Sequence, residues 1–75
     1  MDLKTFRQSR NWTLAKAAEE LGLKSKGYVF DLEKYGASRP VALRLYRDFG
    51  VKVAPLDHLS DAELDLLVKM DARAA

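Results

Sequence analysis

Few side chains in this 75-residue chain could carry out covalent chemistry. His58 is the only histidine and cysteine is absent, so a metal site would rest on carboxylates alone. Glu19 and Glu20 are adjacent, and neighbours on a helix splay about 100° apart, which prevents them from working as an acid–base pair. No nucleophile–base constellation and no glycine-rich phosphate loop is present. The sequence therefore points away from an enzyme. It calls for no catalytic residue, no metal, no cofactor and no small-molecule ligand. What remains is suited to recognition: Lys26 is a donor, Asp31 an acceptor, Phe30 an apolar ring, and Gly27 a gap that permits close approach.

The elements that would position these four residues lie between Thr13 and Leu32. Thr13 is a candidate N-cap, after which Ala17, Ala18 and Leu21 share one helical face. Gly22 supplies a tight turn and Leu23 tucks in behind it. A second helix opens near Ser25 and buries Val29 and Leu32 at i, i+3. Ala18 is small enough for two helices to cross steeply against it. The register of the second helix follows from charge. A turn one residue shorter would point Tyr28 and Asp31 into the core, and an unpaired buried carboxylate costs several kcal/mol. With Lys24 in the turn, Asp31 faces outward together with Lys26, Gly27 and Phe30. Helix, glycine turn and helix in this arrangement form a helix-turn-helix, whose second helix can enter the DNA major groove.

Length leaves room for one domain with a small core. Apolar residues at 48% and charged residues at 32% describe a globular chain. Without cysteine, stability must come from helix packing, assisted by dimerisation. No signal-peptide pattern opens the chain and no apolar run approaches the ~18 residues of a membrane span. A soluble protein of a reducing cytoplasm is expected. The net charge of +2 is uneven. Residues 1–50 hold ten Lys/Arg against six acids, whereas residues 51–75 hold three against five. A basic front and an acidic tail fit a nucleic-acid face with a partner-facing appendage, although charge alone fits an ordinary solvated surface equally well.

Three further helices are predicted. Residues 2–10 form the first, with Asp2 at its start and Leu3 and Phe6 as an apolar pair. Trp12 follows as a hydrophobic staple ahead of Thr13. Pro40 opens a helix in which Ala42, Leu45, Tyr46 and Phe49 recur with helical period, closed by Gly50. Arg44 and Arg47 lie on its polar face, where they extend into water. Val51, Lys52 and Val53 alternate, but they are too few for a strand and read as an extended linker, with pairing across a dimer axis as the alternative. Ser60, Asp61, Ala62 and Glu63 form a capping box for the last helix, which should run to about Met70 before residues 71–75 fray. The expected organisation is a helix-turn-helix domain over residues 1–56 and a C-terminal helical appendage over 57–75.

Residues 3–50 resemble the helix-turn-helix domain of the Cro and lambda-repressor type, the Xre family. Thr13, Ala18, Leu21, Gly22, Leu23, Ser25, Val29, Leu32 and Glu33 match, followed by the turn at 36–40 and the helix end at 43–50. The match covers about two thirds of the chain. Two features depart from the pattern: the turn is one residue longer, and Leu14 stands where a phosphate-binding glutamine is common. Residues 50–56 are more weakly similar to the ends of short prophage-encoded Cro-like regulators. The resemblance implies an all-α, five-helix lambda-repressor-like domain. It also implies a largely buried salt bridge between Arg7 and Glu33.

On that frame Lys26, Gly27, Phe30 and Asp31 would contact bases: lysine donating to guanine, phenylalanine meeting a thymine methyl, aspartate accepting from cytosine N4. Each has a plainer reading. Lys26 also reads as merely solvated, Phe30 as folded back on the core beside Tyr35, and Asp31 as repelling a wrong register. Lys24, Ser25, Tyr28, Lys34, Ser38 and Arg39 flank the helix and would hold phosphates, which orient without reading sequence. Leu59, Leu66 and Met70 cluster on one side of the last helix and would form a dimer interface, unless that helix wraps wholly into the monomer core or frays. The function this implies is a transcriptional regulator, a phage or prophage repressor, that binds a pseudo-palindromic operator as a homodimer at the nucleoid of a bacterial cytoplasm. The alternative is a protein-interaction module, an antitoxin or adaptor, that keeps the fold without binding DNA.

Overall fold

Five helices supply the regular structure in the computed structural model, which describes residues 2–74. They are α1 (Leu3–Ser9), α2 (Leu14–Leu21), α3 (Lys26–Tyr35), α4 (Arg39–Phe49) and α5 (Asp61–Ala74). The all-α class is as expected, and no strand occurs among the described residues. Met1 and Ala75, the outer limits of the two predicted segments, lie outside them. No helix is long and apolar enough to cross a membrane among the described residues.

Four helices start on side-chain caps that satisfy otherwise unpaired backbone donors. The Thr5 N–H donates to Asp2 Oδ1 at 2.7 Å, Lys16 N–H to Thr13 Oγ1 at 3.1 Å, and Tyr28 N–H to Ser25 Oγ at 3.1 Å. Ser60 and Glu63 cap each other reciprocally: the Glu63 N–H reaches Ser60 Oγ at 3.2 Å and the Ser60 N–H reaches the Glu63 carboxylate at 3.1 Å. Trp12 stands before the Thr13 cap and sets its ring edge-on to Phe6 with centroids 5.8 Å apart.

The core draws on every element. Val29 and Leu32 of α3 lie fully inside with Ala17, Ala18 and Leu21 of α2, which is the register that keeps Asp31 out. After Gly50 the chain forms no strand; Val51 and Val53 both enter the core and Lys52 turns out to pair with Asp61 at 2.8 Å. This linker also seats the loop after α3, because the Ala37 N–H donates to the Ala54 carbonyl at 2.8 Å. Gly36 is required there. Its φ is +90°, and a Cβ would lie 2.8 Å from Ala54 Cβ.

Helix α5 departs from expectation in two ways. It continues past Met70 to Ala74, since Ala72, Arg73 and Ala74 favour helix and no glycine or proline stops it. Leu59 precedes the helix and packs partly buried against the core, so it is not on the outer face with Leu66 and Met70. Leu64 is buried in the same cluster as residues of the other four helices, so one side of α5 packs on the domain. The Tyr46 hydroxyl fastens α4 to α5 by donating to Asp65 Oδ1 at 2.8 Å. That hydrogen bond, and the repulsion a phenolate would meet beside the carboxylate, push the phenol up to about 12.

Arg7 and Glu33 meet as a fork. Arg7 Nε donates to Glu33 Oε2 at 2.7 Å and Nη2 to Oε1 at 3.2 Å, while Nη1 donates to the Trp12 carbonyl at 3.0 Å. The side chains are only 15% and 8% exposed. Removing one partner of such a pair strands the other charge, so Arg7→Ala should lower stability by about 3 kcal/mol in urea melts. A loss under about 0.5 kcal/mol would mean that the pair is effectively solvated.

Acid should weaken the caps and the linker clasp together. Hydrogen bonds from Thr5 to Asp2, from Lys52 to Asp61 and from the Ser60 backbone to Glu63 hold these carboxyls below their ordinary values of 3.8, 3.8 and 4.5. A depressed carboxylate contributes stability above its unfolded pKa and loses it as pH falls through the folded one. The urea midpoint should be level between about pH 6 and 8 and fall below about pH 4.5, with a shallower fall in Glu63→Gln.

Candidate nucleic-acid interface

Helix α3 has ten residues, so it is about 15 Å long and presents two faces. Val29 and Leu32 anchor the inner one. At 100° per residue, Gly27, Phe30, Asp31 and Lys34 fall on the opposite side, with Lys26 at its edge. All five are exposed. Phe30 does not fold back on the core: 48% of it faces solvent. The Lys34 ammonium lies 5.8 Å from the Phe30 ring centre and 5.2 Å from that of Tyr35.

The flanking residues surround this face. Lys24 is exposed in the turn with its ammonium 5.1 Å from the Tyr28 ring centre. Ser25 uses its oxygen as acceptor for the α3 cap, which leaves its O–H free to donate. Ser38 holds the cap position of α4 without a side-chain cap bond, and Arg39 follows it, exposed. Tyr28 is less available than expected, because it is half-buried and packed on the core. No carboxylate among the described residues pairs with Lys24, Lys26, Lys34 or Arg39. The four cations are thus free for an external anion.

Two participants escape sequence reasoning. Arg44 does not simply extend into water; Nη2 donates to the Leu21 carbonyl at 3.0 Å and closes the C-terminus of α2. The absence of a side chain at Gly22 allows it, since a Cβ there would lie 3.3 Å from Arg44 Nη2. Tyr35, at 72% exposure, is the most exposed large hydrophobic residue among the described residues. Arg47, by contrast, remains on the surface beside Asp48 at 2.9 Å.

Among the described residues no group of three or more His, Asp or Glu could hold a metal ion. Comparison of the chain with protein-family models, curated proteins and solved structures finds no match.

The arrangement combines donors, one acceptor and an exposed ring on a convex helix flanked by unpaired cations. If Phe30 is placed for contact rather than packing, Phe30→Ala should change stability by less than about 1 kcal/mol in urea. Unfolding of that variant would show that the ring supports the core.

Proposed function

We propose that the protein is a sequence-specific DNA-binding transcriptional regulator, a repressor that occupies a pseudo-palindromic operator as a homodimer. The outward face of α3 carries this reading: an exposed aromatic ring stands beside Lys26, Asp31 and Lys34, which form no salt bridge among the described residues. Exposing such a ring beside a glycine costs both burial and helix propensity, and contact with base edges offsets both. Lys26, Gly27, Phe30 and Asp31 then read bases, while Lys24, Ser25, Lys34, Ser38 and Arg39 hold phosphates. Tyr28 would add a phosphate contact only through its exposed part. The resemblance to Cro-type regulators carries with it a phage or prophage origin and action at the nucleoid of a bacterial cytoplasm.

The homodimer follows from energetics and from α5. One small domain makes too few contacts for useful specificity, whereas two half-sites sum their free energies. Leu66 and Met70, at 58% and 55% exposure, form an unpartnered stripe opposite the buried Leu64 and suit a second copy. Repression then results from occupancy that blocks polymerase, with the two recognition helices one DNA turn (~34 Å) apart. Because Leu64 belongs to the core, the test leaves α5 in place. Leu66→Glu with Met70→Glu should shift sedimentation at tens of micromolar from dimer to monomer without unfolding; a monomeric parent chain would overturn a stable free dimer.

Binding-site selection from a random duplex pool supplies the operator for the decisive test. On that operator Lys26→Ala and Phe30→Ala should each weaken binding by about 1–3 kcal/mol. Arg39→Ala should weaken all duplexes alike and reduce the salt slope by about one. The outward carboxylate of Asp31 favours a second reading, a protein-interaction module. A module of that kind shows no salt-dependent binding to any duplex, and that result would overturn the DNA reading.

A further inference from the structure

We propose that Arg44 is a positioning residue for α3: from α4 it holds the turn between α2 and α3 and so fixes where α3 begins. The consequence for binding rests on the proposed DNA reading, whereas the geometry does not. Left to itself, the end of α2 is poorly closed. Its last turn holds Glu19 and Glu20 and no basic residue, which places acidic side chains at the negative end of the helix dipole. Lys16 pairs with Glu20 at 3.0 Å, and Glu19 has no salt bridge among the described residues. The Gly22 N–H donates to the Glu19 carbonyl at 3.3 Å and the Leu23 N–H to the Ala18 carbonyl at 2.8 Å, so neither closes the Leu21 carbonyl. Beyond Leu23 the turn gains no backbone bond of its own, since neither Lys24 nor Ser25 donates one among the described residues.

Arg44 supplies what α2 lacks. Its Nη2 donates to the Leu21 carbonyl at 3.0 Å and brings a cation to the same helix end from 23 residues away. Gly22 leaves the space for this approach, as a Cβ would lie 3.3 Å from Nη2. Arg44 also lines a cleft of about 220 Å³ between α4 and α5, with Leu43, Val68 and Ala72, and these walls restrict its long side chain. Asp71 lines the same cleft but forms no salt bridge with Arg44, so the carbonyl is the partner that holds the guanidinium. Leu23 anchors the turn by packing on the core, and Arg44 anchors it from outside. Lys24, the cap residue Ser25 and Lys26 follow within five residues of Leu21, so a displaced turn carries all three with it.

The test compares the full-length chain with Arg44→Met, which keeps an apolar stem and removes every donor, and Arg44→Lys, which keeps a cation and a donor. Arg44→Met should fold, with backbone amide NMR signals of residues 21–26 displaced; Arg44→Lys should return them toward their parent positions. On the selected operator Arg44→Met should lose about tenfold in affinity at an unchanged salt slope, and Arg44→Lys should recover most of that loss. A salt slope reduced by about one in Arg44→Met would make Arg44 a direct phosphate contact and overturn the proposal. Amide shifts confined to α4 and α5, full operator affinity in Arg44→Met, or failure of that variant to fold would overturn it as well. A parent chain that binds no duplex defeats the DNA reading and leaves the amide shifts to decide the clamp: displaced signals at residues 21–26 support it, and undisplaced ones overturn it.

Discussion

The guanidinium of Arg7 reaches three parts of the chain at once. From α1 it forks onto Glu33 near the end of α3, and its remaining arm takes the Trp12 carbonyl that precedes the cap of α2. The net worth of such a pair over a well-packed apolar substitute is small. Its consequence is geometric. A bidentate guanidinium–carboxylate contact admits few orientations, so it fixes the roll of α3 about its own axis. Val29 and Leu32 alone, a single i, i+3 pair, would constrain that roll weakly. With the roll fixed, Phe30 and Asp31 stay outside, and the inner and outer faces of a ten-residue helix cannot exchange.

Two residues that break local rules then lie on the outer face of α3. Gly27 lies in the first turn of α3, where glycine weakens a helix, and Phe30 exposes a ring that packing would reward. Within the described residues the Phe30 ring meets the Lys34 ammonium at 5.8 Å and stays 48% exposed. Elsewhere the local signals agree with the fold: caps stand at helix starts, glycine closes α2 and α4, and the valines of the linker are buried. Exposed apolar side chains thus stand on the outer faces of two helices, Phe30 on α3 and Leu66 with Met70 on α5.

The parts legible in the sequence are those governed by a local rule or by a large penalty. The register of α3 was readable because the other one buries Asp31 without a partner. The reciprocal cap of Ser60 and Glu63 was readable because both halves lie within four residues. The Arg7–Glu33 fork, 26 residues apart, was accessible only through family resemblance, as no spacing announces it. Arg44 shows the same difficulty: long side chains with several rotamers find tertiary partners, such as the Leu21 carbonyl, that no periodicity encodes. Leu59 was misplaced because helical angles were extended back through residues that are not helical. The exposed face of α3 was legible as a surface because the buried Val29 and Leu32 leave Gly27, Phe30 and Asp31 on the other side.

Helix α5 changes how the proposed dimer must work. An appendage on a flexible linker would let two domains adapt to half-sites of varied spacing. Here Leu64 is in the shared core, Tyr46 holds Asp65 and Lys52 holds Asp61, so the helix is fixed to the body that carries α3. Its outer stripe of Leu66 and Met70 is therefore oriented relative to the outer face of α3 by packing rather than by a tether. A dimer built on that stripe would carry its two copies of α3 at one separation. The domain is 33 Å along its longest axis, comparable to the ~34 Å between equivalent groove positions one turn apart, so such a spacing is within reach of two rigid bodies in contact. For such a dimer, rigid coupling would make operator spacing a strict requirement: a half-site moved by a single base pair also rotates about the duplex, and neither part of that displacement could be absorbed without giving up the contacts of one α3.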